Sequence, residues 1–453
     1  MSRFHFVGAV LLSSLLAASV AHANQRNVLL IIGDDHGLDP SCYGHPVLKT
    51  PRLDALASSG TRFANGFATV ASCSPSRSTL LTGMYVHANG QYGLAHAAHN
   101  QQTFEQVRSL PAILNEAGYR TAILGKNHVR PAAVYPYQQT LRSPGGNRSV
   151  ARMAETAGEF FAADERPFFL VLGFSDPHRA GGESFANEEQ YPGVKARVYQ
   201  PGEVVVPPYL PDTQRVRADL AEYYQSVDRM DQGIGFLLDA LEKSGKHENT
   251  LVIYVSDNGM PFPRAKTTLY DAGIHLPVIV RAPGKKAGVV SEAMVSFIDV
   301  APTVLEYAGV EAPKEMQGRS MLGIMEQAEA KGWDEVYGSH IFHEITNYYP
   351  MRAIRTRQWK LIWNLAHELE APRAGDIARS PTWQAMQESS GEAQRLRELF
   401  LHRPEWELYD VEKDPHELKN LAEDPAHAKT LEDLRARLMK RLRQTGDPFT
   451  PRS

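Results

Sequence analysis

Cysteine is scarce: only Cys42 and Cys73 occur in 453 residues. A framework of several disulfides is therefore excluded, although a single Cys42–Cys73 pair is compatible with the count. An excess of one charge is also lacking. With 48 Lys and Arg against 52 Asp and Glu, the net charge of −4 gives no footprint for a nucleic-acid partner. No internal repeat is visible, and no uninterrupted apolar run reaches the roughly 18 residues that a membrane span needs. The longest such stretch, Phe6 to Val20, follows Arg3 and His5 and ends at Ala21-His22-Ala23, an A-x-A cleavage pattern. It reads as a secretory signal peptide over residues 1–23. The mature chain is expected to be exported (periplasmic if bacterial, otherwise secreted or lysosomal) and to have no membrane anchor.

What is present is an ordinary globular balance, 43% hydrophobic and 22% charged, in a length that suits two unequal domains. Four apolar runs each end in polar residues. Val28 to Ile32 leads into Asp34-Asp35-His36, and Thr121 to Leu124 into Lys126-Asn127-His128. Phe168 to Phe174 leads into Asp176-Pro177-His178, and Leu251 to Val255 into Asp257-Asn258-Gly259. Short runs without alternation fit strands buried on both faces. Helical patterns lie between them. Arg52 to Ser59 follows a Thr50-Pro51 start, Ser109-Leu110-Pro111 opens another, and Arg217 to Leu241 stops at Gly245. Strands alternating with helices predict an α/β fold with ligands beyond the carboxyl ends of the strands, where all four polar clusters fall. From about Val336 the texture changes to strand-like Met351 to Leu365, a strand at Trp406–Asp410, and an amphipathic helix from Leu431 to Arg443 with Thr430 as cap. We expect a catalytic domain over residues 24–335 and a smaller antiparallel unit with a covering helix over 336–453. Residues 366–400 are polar and carry no clear element.

The polar clusters define a chemistry. Asp34, Asp35, Asp257 and Asn258 gather three carboxylates and a carboxamide, which repel unless a cation sits among them. An all-oxygen set selects a hard ion, Ca²⁺ or Mg²⁺. Taken singly, an Asp-Asp pair after a strand also serves as a turn or helix cap. A second cluster, Ser72-Cys73-Ser74-Pro75-Ser76-Arg77, places a thiol at a helix start with arginine one turn later, an electropositive setting.

The C-x-P-x-R pattern with Thr82-Gly83 resembles the signature of the cysteine-type sulfatases, and the other marks of that family follow in order. They are Asp34-Asp35, Lys126 with His128, His178, Asp257-Asn258-Gly259, and Lys266 where the family carries a sulfate-binding cation. Within the family the longest shared stretches are with the sulfamidase (heparan N-sulfatase) branch: Asp176-Pro177-His178-Arg179, Arg229-Met230-Asp231-Gln232-Gly233 and Tyr349-Pro350-Met351-Arg352. Lys266 departs from that branch, where arginine stands; either cation can hold sulfate. The resemblance implies an alkaline-phosphatase-like fold, a large mixed, mainly parallel sheet with helices on both faces plus a smaller C-terminal antiparallel sheet with a helix. It also implies oxidation of Cys73 by a maturation enzyme to formylglycine, whose hydrate is the nucleophile and a metal ligand. A homodimer and a sulfated glycan substrate are further expectations.

Under this reading Arg77, Lys126 and Lys266 form an anion cradle. His178 protonates the departing nitrogen of an N-sulfated sugar and His128 serves as base, although the two roles are interchangeable. Asp176, Arg179 and Arg352 are expected substrate contacts; for Arg352 an interdomain salt bridge is the competing use. Rival readings are an O-sulfatase on glucosamine 6-sulfate or aryl sulfates, a phosphoric or phosphonic ester hydrolase, and a carbohydrate-binding protein without activity.

Overall fold

The computed structural model of the chain describes residues 26–450. The expected signal peptide lies outside the described residues. The major element is an eight-stranded sheet of order β4-β3-β5-β1-β6-β7-β2-β8. Its strands are β1 (Asn27–Gly33), β2 (Thr61–Phe67), β3 (Arg120–Gly125), β4 (Gln139–Leu141), β5 (Phe168–Gly173), β6 (Thr250–Ser256), β7 (Val278–Arg281) and β8 (Val289–Ser296). All pairings are parallel except those of β7, which runs antiparallel to both β6 and β2.

The central strand shows why the apolar runs do not alternate. Val28, Leu30 and Ile32 enter one buried cluster, while Leu29 and Ile31 enter another on the opposite face. Helices cover both faces, so each residue of β1 meets a core. The long helix Gln214–Lys243 is capped by Thr213, whose side chain accepts the Val216 amide, and it buries Leu237 and Leu241 as its periodicity predicts. The helix Pro51–Ser58 begins at the predicted proline but differs in its cap. Thr50 makes no side-chain capping bond; instead Asp231 of the long helix accepts the amides of Arg52 and Leu53 at 3.1 and 2.9 Å. A tertiary carboxylate replaces the local cap.

A second, antiparallel sheet has the order β12-β11-β10-β9, from β9 (Glu335–His340), β10 (Met351–Thr356), β11 (Trp359–Asn364) and β12 (Trp406–Asp410). The strand-like stretch from Met351 is thus a hairpin, with Ile354 opposite Leu361. The helix Ala428–Gln444 lays Leu434, Leu438 and Leu442 on Ile354, Leu361 and Leu408. It starts at Ala428, with His427 rather than Thr430 in the cap position. The polar stretch before β12 holds three short helices, Gly375–Arg379, Pro381–Glu388 and Glu392–Leu401. They return to the large unit: Thr382 donates its amide and hydroxyl to Asp219 of the long helix. Cys42 and Cys73 are both free thiols, so the possible disulfide is not formed. Among the described residues no helix is long and apolar enough to cross a membrane.

Arg352, expected at the substrate, is placed otherwise. Its side chain is fully buried on β10, paired with Asp447 at 2.5 and 3.0 Å and bonded to the His340 and Met351 carbonyls. Its partners consume the guanidinium, which corrects the substrate assignment; the salt bridge it makes joins two residues of the C-terminal part, 336–453, rather than crossing between domains as the competing reading had it. Removing one member of such a buried pair strands the other charge. Arg352→Ala is expected to cost about 3 kcal/mol or more of stability in denaturant melts. A variant that keeps its stability and loses only substrate affinity would reverse this assignment.

Candidate active site

The carboxyl ends of the parallel strands bring the predicted clusters together. Asp34 and Asp35 follow β1, Lys126 and His128 follow β3, His178 follows β5, and Asp257 and Asn258 follow β6. Residue 73 starts the helix Cys73–Thr82 beside them. Ligand atoms of Asp34, Asp35, Cys73 and Asp257 all lie within 4.8 Å of one another. Asp35 has a left-handed backbone, φ 67°, which turns its carboxylate toward the same point.

The cations interleave with these acids. Lys126 Nζ reaches the Asp34 oxygens at 2.6 and 2.7 Å, and Arg77 Nε donates to Asp257 at 2.8 Å. Lys266 Nζ donates to Asp35 at 2.8 Å and to Asp376 at 2.6 Å. Burial would raise the Asp34 carboxyl, but Lys126 and then His178 outweigh it and hold it low. Burial and the neighbouring Asp34 push Asp257 up despite Arg77. Lys266 stays firmly protonated, because Asp35 and Asp376 overcome the effect of burial.

Does a metal fit? The Asn258 amide donates to Asp35 at 2.7 Å, while its own carbonyl oxygen is buried with no hydrogen-bond partner. A buried acceptor without a donor, beside three convergent carboxylates, suits a cation. Charge balance agrees: four carboxylates, with Asp376, face three cations, and a divalent ion makes the site net positive, as an anionic substrate requires.

Cys73 is 1% exposed, and its Sγ lies 3.9 Å from Asp35. Burial drives its thiol pKa strongly upward in spite of Lys126 and Lys266, so the expected electropositive activation does not produce a thiolate. The residue is well placed but inert as a thiol. His178 binds the Arg179 carbonyl through Nδ1 at 2.7 Å, leaving Nε2 at 3.8 Å from Asp35 and 3.7 Å from Asp376. His128, with φ 60°, stands 2.5 Å from His96 through Nε2, and its Nδ1 is buried and unpartnered. Burial, Lys126 and Arg77 keep it neutral.

The other two expected substrate contacts are committed elsewhere. Asp176 is buried and takes both arms of Arg229 at 2.7 and 2.8 Å, along with Arg148 and Ser226. Arg179 is bidentate on Asp219 at 2.7 and 2.8 Å and lies against the rings of Phe185 and Phe262. Both brace the loop that presents His178. Conversely, Asp376 meets Lys266 and His178, and His96 meets His128, without either having been expected there. Asp376 sits in a polar stretch with no strand before it; the Ser380-Pro381 helix start was the signal that this stretch is ordered. His343, hydrogen-bonded to Ser72 at 2.8 Å, also stands beside the start of the Cys73 helix without having been expected there.

A family model described as Sulfatase matches residues 26–310. The chain belongs to the sulfatase family. A second model, N-sulphoglucosamine sulphohydrolase, C-terminal, matches residues 264–382 of this sulfatase, spanning Lys266 and Asp376. The sulfatase is 40% identical to N-sulphoglucosamine sulphohydrolase of Homo sapiens, with 96% of this chain and 93% of the relative covered. Among solved structures it resembles a protein in complex with its substrate D-glucosamine-2-N,6-O-disulfate (TM-score 0.68, 22% identity, 94% and 99% coverage). It also resembles a 2-O GAG sulfatase (TM-score 0.70, 21% identity, 94% and 93% coverage). It is a hydrolase of a family that generally uses formylglycine and a divalent metal.

Metal-stripped protein is expected to melt at a higher temperature once a divalent cation is restored. An ion that binds only the folded site adds about 2.7 kcal/mol at a hundredfold excess over Kd. Asn258→Ala and Asp257→Asn should each shrink that gain. An undiminished gain in both would place the ion elsewhere.

Proposed function

We propose that this sulfatase removes N-linked sulfate from N-sulfoglucosamine residues of heparan- or heparin-type glycans. The reading is carried by the convergence of residue 73 with Asp34, Asp35 and Asp257 within 4.8 Å. It is supported by 40% identity to a sulphohydrolase of that name over nearly the whole chain.

Asp34, Asp35, Asp257 and Asn258 hold the ion, for which an all-oxygen set favours Ca²⁺, with Mg²⁺ possible in the same ligands. When present, the ion polarises the sulfuryl oxygens and the formylglycine hydrate made from Cys73 supplies the attacking hydroxyl. Lys126, Lys266 and Arg77 neutralise the remaining anionic charge, and they do so from fixed positions, two buried and that of Lys126 partly so, that need no rearrangement during reaction. Arg77 also fixes the loop of Lys126 by donating to its carbonyl at 2.7 Å. His178 gives a proton to the leaving nitrogen through Nε2. The arrangement of its ring supports this reading: Nδ1 is tied to a carbonyl, and Nε2 lies toward Asp35 and Asp376. His128, held neutral, accepts the proton that residue 73 must lose.

The N-terminal segment supports export, and the maturation enzyme that oxidises Cys73 is a required partner. Sulfamidase-like enzymes pair, and a homodimer is proposed on that ground alone. The small sheet and its helix, from about residue 336, are proposed as a unit separate from the catalytic one.

Sulfate release from N-sulfoglucosamine and glucosamine 6-sulfate tests the reading. Wild type should prefer the first, and Cys73→Ala should lose activity by about a thousandfold or more. Intact mass of wild type should fall about 18 daltons below the encoded value for the mature chain, as oxidation to formylglycine requires. Full activity in Cys73→Ala, or in a protein with an unaltered thiol, would sink the scheme.

A further inference from the structure

We propose that Asp376 is a specificity-determining residue that selects a nitrogen leaving group over an oxygen one. The inference rests on the N-sulfatase reading above and deepens it.

Asp376 opens the short helix Gly375–Arg379. One oxygen accepts the Ile377 amide at 2.8 Å, which fixes the rotamer. The other oxygen lies 2.6 Å from Lys266 Nζ and 3.7 Å from His178 Nε2. The side chain retains 9% exposure, so it borders the site rather than being sealed behind it. A carboxylate here is a liability for a pocket that must accept an anion. Unlike Asp34, Asp35 and Asp257, it is not in the acidic cluster that can hold the ion. Some compensating interaction should favour it.

The leaving atom supplies one. His178 can protonate that atom only from hydrogen-bond distance of Nε2. An atom so placed is also within reach of the Asp376 oxygen beside it. When the S–N bond breaks, its electron pair stays on nitrogen. His178 contributes one proton to give the amine, and solvent contributes a second to give the ammonium. An O-sulfate ester instead leaves as a neutral alcohol. A carboxylate attracts the cation strongly and the alcohol weakly, since charge-assisted hydrogen bonds are roughly twice as strong as neutral ones. Free lone pairs remain on the Asp376 oxygens for this contact. The support of Asp376 is rigid. Ser380 caps the next helix through the Trp383 amide, and Thr382 is anchored on Asp219, which also holds Arg179 next to His178. The acid and the carboxylate are thus referred to one frame.

Calorimetry on the metal-loaded full chain tests this with glucosamine and glucose, which differ in ammonium against hydroxyl at one carbon. At pH 6, where an amine is protonated, wild type should bind glucosamine about tenfold more tightly. Asp376→Asn, which keeps the shape and removes the charge, should abolish the preference. It should also bind inorganic sulfate as tightly as wild type or more so, and lose about tenfold in kcat/KM on N-sulfoglucosamine. Absence of the preference in wild type overturns the proposal without any variant. So does an Asp376→Asn protein whose sulfate affinity falls with that for both sugars, because Asp376 then only holds Lys266. Failure of the N-sulfatase reading is seen separately, as wild type that releases no sulfate from N-sulfoglucosamine.

Discussion

Like charges confined in a medium of low polarizability repel strongly, and the structure is organised around one such confinement. Asp34, Asp35 and Asp257 are almost wholly buried at the ends of neighbouring strands. Lys126, Arg77 and Lys266 each pair with a different one of them. The acids alone would force one another to protonate, and burial alone would push the two lysines toward their neutral form. Together they keep charge where a sulfuryl group and a cation can use it. The sheet supplies the precision: β1 and β6 are paired in register from Asn27–Thr250 to Gly33–Ser256, so their terminal residues leave side by side.

A second layer of ion pairs holds the first in place. Arg229 on Asp176 and Arg179 on Asp219 do not face substrate; they stiffen the loop of His178 against the long helix. Buried guanidiniums with carboxylate, carbonyl and aromatic partners are poor recognition groups because nothing is left to offer. They are good braces for the same reason. Activity that depends on sub-ångström placement of an imidazole needs such support.

Much of this was legible in the sequence. The strands β1, β3, β5 and β6 announce themselves because both faces are buried and the runs are uninterrupted, and each is followed by its polar cluster. The strands β2, β7 and β8 carried no comparable signal: Thr61–Phe67 reads TRFANGF, mixed in polarity because it packs through Phe63 and Phe67. Candidate site residues attached to a strand end could be picked out, and they converge in the structure. Those that arrive by tertiary contact could not be, as Asp376 and His96 illustrate. The reverse error came from sequence adjacency. Asp176 and Arg179 flank His178, and Arg352 sits among residues shared with a relative, but adjacency along the chain says nothing about which side of a packed loop a charge takes. Asp231 makes the same point for stability, replacing the cap that Thr50 was expected to provide.

The near-complete enclosure of Cys73 has a temporal implication. Its sulfur is covered by the strand-end loops and by Lys266, itself secured from a helix more than a hundred positions downstream in the chain. Another protein needing to grip and oxidise this side chain has no path to it after the chain has closed. Under the proposed scheme, conversion of Cys73 would then belong to biosynthesis, while the polypeptide is still open. On that scheme a molecule that folds before conversion would keep its buried thiol, and the competition between folding speed and modification speed would set the active fraction of a preparation.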